Sequence, residues 1–424
     1  MWQSATLNLM HSSEPKRQRR AMAPAMVIWL LALLLGLQPV TTDLSLPALP
    51  QLTSALGASM AQAQLTLTAL LLCFGFGQLV CGPLSDRYGR RPVLLGGMVL
   101  YTLAALGNTA ATGIGWLIAT RAVQGAALGA AVMCARAIVR DVFEPEQGAR
   151  AMTKALGGLG VLALLAPLVG GLLTPWFGWR VVLAVMALCG ALLLALLAIC
   201  FEETAPHHQP KSLAQHAKNW AGIVRHRGFL AWAGLQAASY GGLFTFLAAS
   251  SFVFLNVYGM SRPLYGLAMA SASLAYIAGT VLCRRLLQRR GLRGAERIGA
   301  WISLAGGTAI GLLGLAGLHT WWAFLLPYWV FMVGHGIHQP SAQTGAVAEF
   351  PHAAGAASAL SGFLLTLVAF GVGAWLGQRL DGTVLPLTNG IWLWSCVIAF
   401  FGLFLVQRYG EVSPTAASEL VIPA

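Results

Sequence analysis

Asp43 and Arg121 are the two ionisable side chains that fall deep within long apolar stretches of this sequence. Asp43 lies in LQPVTTDLSLPALP (Leu37–Pro50), among Pro39, Pro47 and Pro50, and Arg121 lies in LIATRAVQGAALGAA (Leu117–Ala131). A charge at the centre of a bilayer costs about 2.5–3.5 kcal/mol on insertion scales, so each is a candidate functional residue. A carboxyl in such a place can take up and release a proton, and a guanidinium can set the field it feels. Burial and a nearby Arg act on a carboxyl in opposite senses. The plainer reading makes Asp43 the cap of a helix end at the membrane surface and Arg121 a hydrogen-bonding hub. Arg136 lies near the end of an apolar run, where its long side chain can snorkel.

Helical spacing brings further groups into consideration. Gln124 sits one turn from Arg121, while Tyr240 and Phe244, four residues apart, share a helix face. With Phe246 they offer aromatic surface either to a lipophilic ligand or to neighbouring helices. His335 and His338, in GHGIHQPSAQ, can titrate near neutral pH; they read as a second proton site or, more simply, as hydrogen bonds between helices. His207–His208 reads as solvated loop rather than metal site. The seven cysteines show no CxxC spacing and read as small buried hydrophobes. No GK[ST] phosphate loop, HExxH or GxSxG stands out, so neither enzyme activity nor cofactor nor metal is expected.

The elements that must position these groups follow from composition. The 424 residues are 57% hydrophobic and 9% charged, where a soluble chain holds about 25% charged residues. Apolar runs repeatedly reach the ~20 residues that cross a bilayer as a helix. Twelve spans are predicted, near 24–46, 65–83, 93–112, 116–139, 152–173, 180–201, 229–256, 264–283, 298–318, 321–343, 357–377 and 386–406. The net charge of +13 is concentrated in alternate loops, the positive-inside pattern, which predicts that both termini are cytoplasmic. It does not form a basic face with interleaved aromatics, so nucleic acid is not an expected partner. KRQRR (Lys16–Arg20) precedes the first run as in a signal peptide, but the run is long and lacks a small-residue cleavage site, which favours an uncleaved helix.

The longest connection divides the spans six and six. The expected fold is all-α, with twelve transmembrane helices in two pseudo-symmetric six-helix bundles. The corresponding regions are a tail at 1–23, bundles at 24–201 and 229–406, a linker at 202–228 and a tail at 407–424. Parallel halves with a midplane site between them are a known transporter plan. Asp43 falls in the outer part of the first span and Arg121 about 7 Å along the fourth. Similar heights predict one shared polar cavity.

Several segments carry a family resemblance. GPLSDRYGRRP (Gly82–Pro92) resembles the loop between the second and third helices of the major facilitator superfamily. Gly82 and Gly89 are expected to permit a tight reversal there, and Asp86, Arg87 and Arg90 to pair with Asp141, Glu144 and Glu146 as a cytoplasmic gate. LIATRAVQGAALGAA resembles the family's fourth-helix motif, with its Arg at Arg121. GGLGVLALLAPLVGG (Gly157–Gly171) is similar to the antiporter motif at Pro167, Gly170 and Gly171, with Ala166 in place of a Gly. TTDLSLPALP resembles the first-helix motif of twelve-helix drug:proton antiporters, and EFPHAAGAASALSG (Glu349–Gly362) a segment of the bicyclomycin-resistance (Bcr/CflA) branch. RRLLQRRGLRGAER (Arg284–Arg297), the matching loop of the second half, lacks the Asp, so the gate is expected in the first half alone.

The resemblance implies a proton-coupled exporter of drugs or other small amphipathic compounds in a bacterial inner membrane. Its partners would be a small molecule, protons and lipid, and a monomer is expected. Asp43 and Arg121 would couple protons. The same two residues, with Gln124, Tyr240 and Phe244, would bind substrate. Export of a metabolite or amino acid, or a non-transporting membrane sensor, are the alternatives.

Overall fold

The computed structural model describes residues 23–143, 145–205, 213–350 and 353–411. Lys16, Arg17, Arg19, Arg20, Glu144, His207, His208 and Lys211 lie outside the described residues, as do the side chains of Glu146 and Lys218.

The first apolar run does not end at residue 46. It forms α1 (Pro24–Thr42), continues as a 3-10 stretch (Asp43–Ala48) and ends as α2 (Leu49–Ala55). Pro39 removes one ladder hydrogen bond from α1, and the tighter winding begins four residues later. A helical run of 32 residues results. Asp43 is therefore inside it, with twelve residues beyond, rather than capping an end.

Then come α3 (Met60–Tyr88), α4 (Arg90–Thr109), α5 (Ile114–Val142), α6 (Pro145–Cys200), α7 (Leu213–Arg225), α8 (Arg227–Phe252), α9 (Arg262–Leu315), α10 (Trp321–Ala348), α11 (Ala354–Arg379), α12 (Leu385–Phe400) and α13 (Val406–Tyr409). Ser59 and Gln62 start α3 with a reciprocal capping box, which satisfies two otherwise orphaned N–H groups. Single glycines reverse the chain between helices: Gly89 (φ 97°) between α3 and α4, Gly178 (φ 76°) within α6 and Gly291 (φ 64°) within α9. Only glycine adopts these angles without steric cost.

Among the described residues, nine helical segments are long and apolar enough to cross a membrane. Two of them are the bent α6 and α9, and α10 crosses as a more polar helix of 28 residues. The fold is thus twelve transmembrane helices in two six-helix bundles. Large apolar side chains such as Leu103, Leu192, Ile199 and Leu393 stand exposed on the outside, where hydrocarbon would cover them. The bundles meet along α3 with α11 and along α6 with α9.

Candidate functional site

A cavity of about 1310 Å³ lies between the two bundles. Its walls come from α1, α3, α5, the first leg of α6, α8, the first leg of α9, α10 and α11. It extends from Asp43 and Tyr328 to Arg140, Gln147 and Arg150, which are exposed at the end of the molecule where Gly89 joins α3 to α4. This is called the basic end here. At the far end the halves touch: Gln64 Nε2 donates to the Ala248 carbonyl at 2.6 Å. A Cβ on Gly171 would stand 2.7 Å from the Arg262 carbonyl oxygen, and one on Gly266 2.8 Å from that of Pro167. Only glycine lets α6 and α9 approach so closely.

Among the described residues, Asp43 is the one carboxylate on the cavity wall. Thr42 Oγ1 donates to it at 2.7 Å. Gly170 lets the 3-10 stretch settle against α6, because a side chain there would strike the Leu44 carbonyl. Tyr240, Tyr265 and Tyr328 lie within electrostatic reach of the carboxyl. The Tyr328 hydroxyl is buried without a hydrogen-bond partner among the described residues, and its ring stacks on Phe246 at 4.1 Å.

Arg121 and Gln124 are not on this wall. Both are buried behind α1. Arg121 donates to the Thr41 carbonyl at 3.1 Å and to Gln124 Oε1 at 3.3 Å, and Gln124 accepts from Asn108 at 2.8 Å. The shared-cavity expectation fails for a geometric reason. Two residues advance about 200° around a helix, so Thr41, which bonds the Tyr101 hydroxyl at 2.7 Å, faces away from the side that carries Asp43. Arg121 holds the backbone beneath Asp43 rather than its carboxyl.

The aromatic face also differs by one position. Gln236, Tyr240, Leu243 and Leu247 line the cavity, with Phe246 beside them. Phe244 instead packs near Gly373 of α11, its ring 6.4 Å from that of Tyr240. A second stripe on α10 comprises Tyr328, Met332, His335, Gln339 and Gln343. Of these, the sequence reading names His335 but not Tyr328, Met332, Gln339 or Gln343, although polar groups at helical spacing in an apolar span are a readable signal. Arg136 does not snorkel outward. It donates to Ser358 of α11 at 3.0 Å, Gln343 donates to the same hydroxyl at 3.1 Å, and Gln236 donates to Gln343 at 2.8 Å. This polar belt joins the two halves across the cavity.

At the basic end, Gly82 lies inside α3 and makes no reversal; Gly89 alone does. Arg90 is nearly buried and pairs with Asp141 at 2.8 Å, with Asp86 and with Ser85. Arg87 is exposed above the Tyr88 ring. Glu203, absent from the sequence reading, accepts the backbone N–H groups of Arg90 and Arg91 at 2.8 and 3.0 Å. Burial works against its ionisation, but backbone N–H donors, that of Ala205 first and then those of Arg90 and Arg91, outweigh it and hold the carboxyl below its usual range. In the second half, Glu296 is fully buried against His338. It escaped notice because the apolar window begins only at residue 298, whereas the helix begins just after Gly291.

Two six-helix bundles around one central cavity, closed at one end, define a secondary membrane transporter. The sequence description of the Major Facilitator Superfamily matches residues 31–374, and the chain belongs to that superfamily. It is 31% identical over 395 residues to the uncharacterized MFS-type transporter YdgK of Bacillus subtilis (strain 168), covering 91% of this chain and 96% of that one. It is 29% identical over 387 residues to the bicyclomycin resistance protein homolog of Haemophilus influenzae (strain ATCC 51907 / DSM 11121 / KW20 / Rd), covering 89% and 95%. The crystal structure of a D-xylose–proton symporter superposes with a TM-score of 0.71 at 18% identity, covering 93% of this chain and 99% of that one.

Proposed function

We propose that this transporter exports small amphipathic compounds, drugs among them, across a bacterial inner membrane in exchange for protons. The observation that carries the reading is Asp43, the single carboxylate among the described residues on the wall of a mostly apolar central cavity. With the cavity open to the cytoplasm, substrate binding and proton release at Asp43 accompany one another; with it open outward, a proton enters and substrate leaves. Inward proton flow then drives export. In this reading the basic end and both termini are cytoplasmic, and regions 24–201 and 229–406 are the moving halves, linked by 202–228. Tyr240, Phe246 and Tyr328 contact the apolar part of the substrate. Arg121 and Gln124 are positioning residues that act through Thr41. Pro167, Gly170 and Gly171 form the far-end seal, and Asp86, Gly89, Arg90 and Asp141 brace the cytoplasmic side.

The relative named for bicyclomycin resistance makes that compound the first to test. In an efflux-deficient host, the wild-type chain is expected to raise bicyclomycin resistance and Asp43→Asn to abolish the gain at equal membrane abundance. Export against a gradient at the wild-type rate by D43N would remove Asp43 as the coupling group. Export of a polar metabolite is the second reading, favoured by the belt of Gln236, Gln343, Ser358 and Arg136.

A further inference from the structure

We propose that Glu296 and His338 form a second proton-binding site, separate from Asp43 and reached from the cavity through His335. Both side chains are fully buried, with His338 Nδ1 2.6 Å from Glu296 Oε2. The pair is one turn inside the start of the second leg of α9, some 7 Å from Gly291. Its outer valences are all filled by hydroxyls. Ser303 Oγ lies 3.0 Å from His338 Nε2, and Ser341 Oγ bonds the other Glu296 oxygen.

The choice of partners matters. An Arg or backbone N–H can only donate, and so would fix the carboxylate in its ionised form. Imidazole and hydroxyl groups both donate and accept, so each contact survives a change of protonation. Ser303 can accept from an imidazolium N–H or donate to a bare Nε2. The pair itself is neutral overall either as carboxylate with imidazolium or as carboxylic acid with imidazole. One further proton converts the first form to acid plus imidazolium, with the hydroxyls turning to suit and no other bond made or broken.

The neighbouring charges are few. On the first leg of α9, buried Cys283 lies within electrostatic reach of the carboxyl, and the exposed Arg284 within reach of Cys283. Arg297 and Arg293 turn away, to Gln407 and Glu411 of the C-terminal segment. On α10, His335 lies three residues before His338, on the same helix face. It is on the cavity wall, with Nδ1 2.8 Å from Ser239 Oγ. Imidazole to imidazole to carboxyl is thus the sequence of titratable groups leading from the cavity into the second bundle. The use of the proton in transport rests on the exchange reading above; the existence of the site does not.

The test is infrared pH-difference spectroscopy on the purified full chain, without substrate. Wild type and Asp43→Asn should both show a protonated-carboxyl band that grows as the pH is lowered. Glu296→Gln should lack it. His338→Gln keeps the carboxyl and removes its partner, and should move the midpoint of that change; it serves equally if E296Q does not fold. No Glu296-dependent change across the pH range in which the protein stays folded, or an H338Q midpoint equal to wild type, overturns the proposal. If the band titrates but reconstituted protein shows no proton-driven transport, the exchange reading fails and the site stands.

Discussion

Replacing Gly171 by Ala should shift the balance between the two open forms of the transporter. In the form described here, the new Cβ would sit 2.7 Å from the Arg262 carbonyl oxygen. Contacts under 3.0 Å do not persist, so backbone on α6 or α9 must give by some tenths of an ångström. Overpacking of this kind costs about 1–3 kcal/mol. The cost falls only on the form in which the far end is closed, because opening that end separates the two helices. At about 1.4 kcal/mol per tenfold change in an equilibrium, even the lower limit enlarges the far-end-open population about fivefold. Gly157→Ala on the same helix is the control, since a Cβ there meets nothing within 4 Å. Both variants gain the same helix propensity, about 1 kcal/mol, so their difference isolates the contact. Spin labels at the exposed positions Trp176 and Leu264, in a background lacking native cysteines, report the far-end separation. G171A should add a longer-distance population that G157A lacks. Identical distributions in both variants would refute the claim that this glycine contact seals the far end.

Two predictions concern the basic end. Gly89→Ala places a Cβ at φ 97° and against the Glu203 carboxylate; left-handed geometry alone costs about 1–2 kcal/mol. Folded protein recovered in detergent should fall and the melting temperature drop, whereas Gly96→Ala, with open space around it, should be silent. Against the effect of burial, Glu203 is held below its usual pKa in the folded chain by the backbone N–H groups of Ala205, Arg90 and Arg91. Its contribution is therefore fully present above its unfolded pKa and lost as pH falls through the lower folded value. Thermal stability of wild type should decline in the acid carboxylate range, and Glu203→Gln should flatten that part of the profile.

Much of the membrane architecture could be read from hydropathy, because spans and basic loops are one-dimensional patterns. Even the least sharply marked starts, those of the seventh and eleventh spans, differ from α8 and α11 by only two or three residues. Which face of a helix meets the cavity is a tertiary property. Tyr240 and Phe244 share a face by spacing, yet the wall of α8 is centred on Tyr240 and Leu243, and Phe244 packs beside α11. Height alone paired Asp43 with Arg121, but rotation about α1 separates them. Glu296 was hidden by its setting among arginines, since a charge near a basic loop looks solvated until the turn at Gly291 draws the helix start inward.

Each one-glycine turn joins a helix on the cavity wall to one that is not. α3, the first leg of α6 and the first leg of α9 line the cavity; α4 and the two second legs do not. With one residue between them, an outer helix cannot tilt without carrying its inner partner along. Hydrophobic mismatch acts on such outer helices with fractions of a kcal/mol per ångström of bilayer thickness. Summed over three rigid pairs, that load reaches the cavity directly. The thickness of the host membrane should therefore shift the resting balance of the two open forms before any substrate or proton arrives.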